Sequence, residues 1–170
     1  MLLSLSVLLS LAAPADMAAA ATDHHAETAA ETRLERNKRL AREFYEKLWF
    51  SNQTDAYADY VADNYVVHDI GERKNMTEQA IEQKTVADIF HASGTMSGRI
   101  DYQIAEGDLV ATRWLWTLNE PTEQARAMGM TSEIVDLPII NVFRFNEEGK
   151  IVEIWNHRHD IDLPFRQRGY

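Results

Sequence analysis

Hydrophobic residues recur every three or four positions over residues 31–50, and the positions between them are mostly charged. This spacing predicts an amphipathic helix with one solvated basic face. A second set of large residues with helical spacing predicts a short helix over residues 55–65. A third helix is predicted from just after Asn75 to His91, because Asn75 and Glu78 have the spacing of a capping box.

Beyond Gly94 the pattern changes to strict alternation, which predicts strands over residues 99–105, 109–117, 131–145 and 150–158. Gly107 and Gly149 lie in the short polar segments between them, where a hairpin turn needs a positive φ. Helices followed by consecutive antiparallel strands predict an α+β domain with its helices on one side of a curved sheet. The side chains expected to be largely buried are Phe44, Leu48, Trp49, Tyr60, Ile89, Phe90, Trp114, Phe143 and Trp155.

The first 21 residues have a different character from the rest of the chain. Residues 2–13 are apolar or small throughout, and Ala19 and Ala21 are suitably small for cleavage before Thr22. A bilayer span needs about 20 apolar residues, so this run predicts a secretory signal peptide over 1–21, although no Lys or Arg precedes it. We therefore expect a disordered tail over 22–30, one domain over 31–170 and a secreted or periplasmic protein without a membrane segment in its mature form.

Composition excludes several classes of protein. The 170 residues carry a formal net charge of −10 and contain no Cys. An acidic chain without a basic run repels a phosphate backbone, so we expect no nucleic acid partner. Without Cys there is no disulfide, thiolate nucleophile or Cys-ligated metal centre. The sequence also lacks the Walker, dinucleotide-binding, serine-elbow and zinc-protease motifs.

The last strand combines aromatic and polar side chains. A period of two places Glu153, Trp155, His157 and His159 on one face, and a hairpin turn over 147–149 would set Asn141 opposite Trp155. This face mixes aromatic bulk with polar groups, so Asn141, Trp155 and His157 are candidate site residues, together with the aromatic strand around Trp114. A one-residue error in the turn would exchange the two faces of the strand.

Several titratable residues could carry chemistry. His68 and Asp69 follow an apolar segment, where His68 could act as a general base, or where His68 could be a satisfied histidine and Asp69 a turn cap. His157 and His159 also have a metal-ligand spacing, with His68 as a possible third imidazole. No carboxylate ligand follows from the spacing, and we expect no metal site.

Four segments together resemble the SnoaL-like polyketide cyclase family of the nuclear-transport-factor-2-like superfamily. They are NKRLAREFYEKLW, YVADNYVVHD, IAEGDLVATRW and NVFRFNEEGKIVEIWNHRHD. The resemblance implies a cone-shaped α+β barrel, with three N-terminal helices packed into a curved antiparallel sheet around an apolar pocket. It also implies a small hydrophobic or polyketide-like ligand, acid/base chemistry without a cofactor, and a possible homodimer.

The resemblance further implies an acid/base carboxylate four residues after Trp155. This sequence has His159 there, and Asp160 follows. Either His159 replaces the carboxylate, or Asp160 takes the role through a local irregularity, or the cyclase chemistry is absent. Two classes of function therefore stay open: an acid/base enzyme of cyclase, isomerase or dehydratase type with His68 and Asp69 assisting, and a binding module without catalysis.

Overall fold

A computed structural model describes residues 31–68 and 75–157, and the predicted signal peptide and tail lie outside these ranges. The helices are α1 (Arg33–Phe44), α2 (Tyr57–Tyr60), α3 (Ile81–Ala92) and α4 (Glu123–Ala127), with a π-helical turn at Tyr45–Phe50 and a 3₁₀ turn at Thr54–Ala56. The strands are β1 (Val61–His68), β2 (Met76–Gln79), β3 (Thr95–Glu106), β4 (Leu109–Asn119), β5 (Ile134–Phe145) and β6 (Ile151–His157). No helix in the described ranges is long and apolar enough to cross a membrane.

The first helix forms where the sequence predicts it. Thr32 caps its N-terminus, since the Thr32 hydroxyl accepts from the backbone N–H of Glu35 and the Glu35 carboxylate accepts from that of Thr32. Its buried face includes Phe44, and the chain then widens into the π-helical turn. The predicted helix over 31–50 is thus confirmed in position, with its last six residues in a wider helical form.

The second predicted helix, over residues 55–65, is wrong beyond Tyr60, where the chain turns into β1. Val61, Tyr65 and Val67 are buried on one side of this strand, and β-branched and aromatic residues pack well on a pleated surface. The same residues also fit a helical spacing over a short window. Pairing with the neighbouring strands decides between the two forms.

The third predicted helix begins later than expected. Residues 76–79 form β2, paired with β1, and α3 begins only at Ile81. The capping box at Asn75 and Glu78 is therefore wrong. The Asn75 side chain contacts the ring of His68 instead, at 2.7 Å, and Glu78 lies on a strand directly opposite Tyr65.

The described strands form one curved sheet in the order β2-β1-β6-β5-β4-β3. Each neighbouring pair is antiparallel except β1 and β6, which run parallel and correct the expectation of a purely antiparallel sheet. The α+β class and the curved sheet with a few helices are confirmed. The strands predicted from alternation lie within a few residues of β3, β4, β5 and β6.

The core contains most of the side chains expected there. Phe44, Leu48, Tyr60, Trp114 and Phe143 are buried, and Trp49 and Phe90 pack against them while partly exposed. Two expectations are corrected. Ile89 is 41% exposed on the outer side of α3, and Trp155 lies half-buried outside this cluster.

Gly98 on β3 lies directly beneath the ring of Phe50. A Cβ atom at Gly98 would stand 2.3 Å from Cε1 of Phe50, and that ring contacts Tyr45 and Trp114 in a close-packed core. We expect Gly98→Ala to lower the free energy of unfolding by about 1–3 kcal/mol in a urea titration. Adding Phe50→Leu should recover part of the loss, and an unchanged midpoint in Gly98→Ala would contradict the clash.

Candidate functional site

A β-bulge in the hairpin of β5 and β6 decides which side chains of the last strand face inward. Phe145 pairs with Ile151, but Arg144 pairs with Glu153, so Val152 has no partner on β5. One extra residue in a strand moves every following side chain to the opposite face. The bulge therefore exchanges the two faces of β6 relative to the predicted register.

The exchange changes the composition of the inner face. Asn141 is opposite Asn156 rather than Trp155. Ile154 and Asn156 line an internal cavity, whereas Trp155 and His157 do not. The predicted inward face of the last strand is thus wrong, and its outward face supplies the cavity residues.

A cavity of about 200 Å³ lies between the helices and the inner face of the sheet. Its walls are mainly aromatic and aliphatic, with a small polar set that comes from β2, α3, β5 and β6. The apolar lining residues are Phe44, Tyr45, Trp49, Val67, Val86, Phe90, Trp114, Ile139, Phe143 and Ile154, and the polar ones are Glu78, Gln83, Asn141 and Asn156. An apolar pocket with a few convergent polar groups is the usual form of a small-molecule site.

The π-helical turn supplies two of these walls. Tyr45 and Trp49 both face the cavity from this turn, and single π-helical turns are frequent at functional sites. The Tyr45 ring stacks on Phe143 at 5.5 Å and tilts against Trp114 at 5.4 Å. These contacts hold the phenol against the inner face of the sheet.

Asn141 is the centre of a buried hydrogen-bond network. Its side-chain oxygen accepts from the Tyr45 hydroxyl at 2.8 Å and from the indole N–H of Trp114 at 2.9 Å. Its amide nitrogen donates to the side-chain oxygen of Asn156 at 2.6 Å. Burial raises the pKa of Tyr45 well above its ordinary value, so the hydroxyl stays protonated and donates.

Glu78 is the one carboxylate among the described residues that line the cavity. The hydroxyl of Tyr65 donates to Glu78 Oε2 at 2.6 Å and accepts from the Gln83 amide at 2.7 Å. Burial raises the pKa of Tyr65, and its hydrogen bond to Glu78 raises that pKa further. Tyr65 therefore remains a donor and fixes one oxygen of Glu78 at the cavity wall.

The predicted site residues separate into three groups. Trp114 and Asn141 line the cavity. His68 and Trp155 lie together on the opposite face of the sheet, with their rings stacked at 4.3 Å, and His157 is exposed. Asp69, His159 and Asp160 lie outside the described residues.

His68 has partners of its own on that outer face. Its Nε2 lies 2.9 Å from Glu153 and its Nδ1 2.7 Å from Asn75, and Glu153 also contacts Arg144 at 2.9 Å. Its neighbour Val67 faces the cavity, and successive strand residues point to opposite sides. The expectation that His68, Trp155 and His157 share one cavity with Asn141 is therefore corrected.

The sequence interpretation missed Glu78, Gln83 and Asn156. Asn156 lies between Trp155 and His157 on β6, and without the bulge it would be on the other face of the strand. The sequence pattern predicts a helix cap at Glu78 and a helix at Gln83. It also predicts a helix at their common partner Tyr65, which lies on β1. A strand assigned over residues 76–79 would have placed Glu78 opposite Tyr65.

Comparisons with known proteins agree with this architecture. The family model of SnoaL-like polyketide cyclases matches residues 39–165. Among solved structures, a proposed polyketide cyclase from Acidithiobacillus ferrooxidans superposes with a TM-score of 0.60 at 18% identity, covering 78% of this chain and 94% of that one. No curated protein sequence gives a significant match.

Two further solved structures have the same fold. IdmH from Streptomyces antibioticus, a proposed polyketide cyclase, gives a TM-score of 0.59 at 18% identity over 79% of this chain and 99% of its own. SalBIII is described as an epoxide hydrolase/cyclase-like enzyme in pyran ring formation in the polyether salinomycin. Its TM-score is 0.56 at 16% identity, and the match covers 72% of this chain and 89% of SalBIII. At these identities the likeness establishes the shared fold.

Proposed function

Because the chain belongs to the SnoaL-like polyketide cyclase family, we propose that it acts on a small hydrophobic or polyketide-like molecule by acid/base chemistry without a cofactor. The reaction would be of the cyclase, isomerase or dehydratase type. The observation that supports this most strongly is a mainly apolar cavity whose described lining holds a single carboxylate, Glu78, together with fixed amide groups. Such a carboxylate can take a proton from a bound carbon acid.

The volume of the cavity limits the size of the substrate. At about 200 Å³ it is smaller than the roughly 300–1,000 Å³ of typical drug-sized ligand sites. We infer a molecule of one or two rings, enclosed by the aromatic walls. Its reacting carbon would lie near Glu78, which in this proposal removes the proton.

Proton transfer to a small ketone tests the proposed function directly. The probe is 2-tetralone, a fused two-ring ketone, incubated with the full chain in D₂O. We expect NMR to show faster deuterium incorporation next to the carbonyl with the protein than with buffer alone. Binding of 2-tetralone without any acceleration would contradict the enzyme and favour the alternative, a binding module of the same fold.

Filling part of the cavity should weaken ligand binding. Val86 on α3 lines the cavity, and Ile89 on the same helix is exposed. We expect Val86→Phe to weaken 2-tetralone binding by about tenfold or more, because the added ring occupies space in the cavity. Ile89→Phe is the matched control and should bind within about twofold of the unaltered protein, as expected of a surface substitution. Equal weakening by both variants, measured by calorimetric titration, would place the binding site elsewhere.

We also propose export and self-association. Mass spectrometry of protein purified from its source should find a chain that begins at Thr22, and an intact Met1 would contradict the signal peptide.

Sedimentation equilibrium should give the mass of a homodimer. A monomer at all concentrations would contradict the dimer.

A further inference from the structure

The hydrogen bonds from Trp114 to Asn156 run in one fixed direction. An indole N–H can only donate, so the atom of Asn141 that faces Trp114 at 2.9 Å must be its oxygen. The Asn141 nitrogen is then the atom directed at Asn156, at 2.6 Å. Asn156 must accept with its side-chain oxygen, because two amide nitrogens are both donors and cannot hydrogen-bond to each other.

This direction leaves the amide nitrogen of Asn156 without a partner among the described residues. Its oxygen is turned to Asn141, and within residues 31–68 and 75–157 no hydrogen bond from its amide nitrogen is formed. Asn156 lines the cavity. The Tyr45 hydroxyl also donates to the Asn141 oxygen, and the indole N–H of Trp114, which cannot accept, prevents the amide from turning over.

The indole nitrogen of Trp49 is a different case, because it has no surface that a ligand in the cavity could reach. The indole Nε1 of Trp49 is buried and makes no hydrogen bond within the part of the chain that the structure describes. Buried polar groups are nearly always paired, because an unpaired one loses its hydrogen bonds to water without replacing them. Because Asn156 lines the cavity with its amide nitrogen unpaired among the described residues, a ligand that offers a hydrogen-bond acceptor fits this cavity better than a hydrocarbon of the same shape.

We propose that the side-chain amide of Asn156 binds the carbonyl oxygen of the substrate, and that Trp114, acting through Asn141, is the positioning residue that turns this amide toward it. The inference rests on the proposed function. In the step, the C–H bond next to the carbonyl breaks and its proton goes to the Glu78 carboxylate. The electron pair forms the C=C bond of an enolate, and the negative charge gathers on the oxygen that Asn156 holds. Donors aimed at developing charge stabilise such a transition state.

Two probes of one shape test the inference. They are 2-tetralone and 2-methylenetetralin, in which a methylene group replaces the oxygen. We expect the unaltered protein to bind the ketone about tenfold more tightly, the worth of one net hydrogen bond of about 1.4 kcal/mol. Asn156→Leu should reduce this preference to about twofold or less, whereas Asn64→Leu, at an exposed asparagine on β1, should keep it.

The infrared carbonyl stretch of bound 2-tetralone gives a second readout, which does not depend on comparing affinities. It should lie below its frequency in cyclohexane for the unaltered protein and move back toward that value in Asn156→Leu. Equal affinity for both probes with an unshifted stretch would overturn the role of Asn156 and leave the proposed function standing. Failure of both probes to bind would contradict the proposed function and this inference together.

Discussion

Glu78→Gln is expected to lower the rate of deuterium incorporation into 2-tetralone by about 10²–10⁴-fold, the usual contribution of a general acid/base group. Glutamine keeps the length and shape of the side chain, and its amide oxygen can still accept from Tyr65. The folded structure should therefore survive, and the ketone should still bind. Only the ability to take up a proton is removed.

Glu82→Gln is the matched control for this substitution. Glu82 is exposed in the first turn of α3, four residues from Glu78 in sequence. We expect its variant to exchange deuterium at the rate of the unaltered protein. If Glu78→Gln also keeps the full rate while its melting temperature is unchanged, Glu78 is not the base.

The same assay separates Glu78 from the residues that the sequence proposed. His159→Ala and Asp160→Asn should be measured beside Glu78→Gln and His68→Ala under identical conditions. Because His68 lies on the far side of the sheet with Glu153 and Trp155, we expect His68→Ala to leave the exchange rate unchanged. A loss confined to His159→Ala or Asp160→Asn would assign the base to the last segment of the chain instead.

Asn141→Leu is expected to lower the free energy of unfolding by about 2–5 kcal/mol, because it removes the acceptor of two buried donors at once. The Tyr45 hydroxyl and the Trp114 indole both lose their partner, and both side chains are buried. Leucine has the same branching and the same number of side-chain heavy atoms as asparagine, so the substitution removes the polar pairing without opening a cavity. Urea titration with an unchanged m-value checks it.

A double variant shows whether unpaired donors cause that loss. Tyr45→Phe removes one of the donors, so it should cost less in the Asn141→Leu background than in the unaltered protein. Asn64→Leu, at an exposed position, should change the stability by no more than about 0.5 kcal/mol. Strict additivity of Tyr45→Phe and Asn141→Leu would contradict the hydrogen bond between these side chains.

The second half of the fold was predictable because its strands alternate cleanly and its turns contain glycine. Every second residue of β4 is buried, a pattern that a helix cannot produce. The segment around β1 and β2 was not predictable in the same way. Val61 and Tyr65 fit a helix or a strand over so short a window, and the parallel partner that decides between them lies far along the chain.

The candidate site was only partly predictable, because it depends on register. Trp114 and Asn141 were identified from strands whose phase the alternation defines. Asn156 was not, since the bulge at Val152 reverses the phase of β6, and no local sequence signal requires a bulge there. Glu78 was missed for a different reason: a sequence that matches a capping box can equally begin a short edge strand.

The parallel pairing of β1 with β6 also constrains the order of folding. Val61 is paired with Ile151, about 90 positions along the chain, whereas β3 and β4 meet through a two-residue turn. Contacts between distant residues carry a larger loop-closure entropy and form late. The hairpins formed by β3, β4 and β5 can therefore assemble while β1 still lacks its neighbour. The part of the cavity wall that Ile154 and Asn156 supply is therefore completed late, after the hairpins of β3, β4 and β5 have formed.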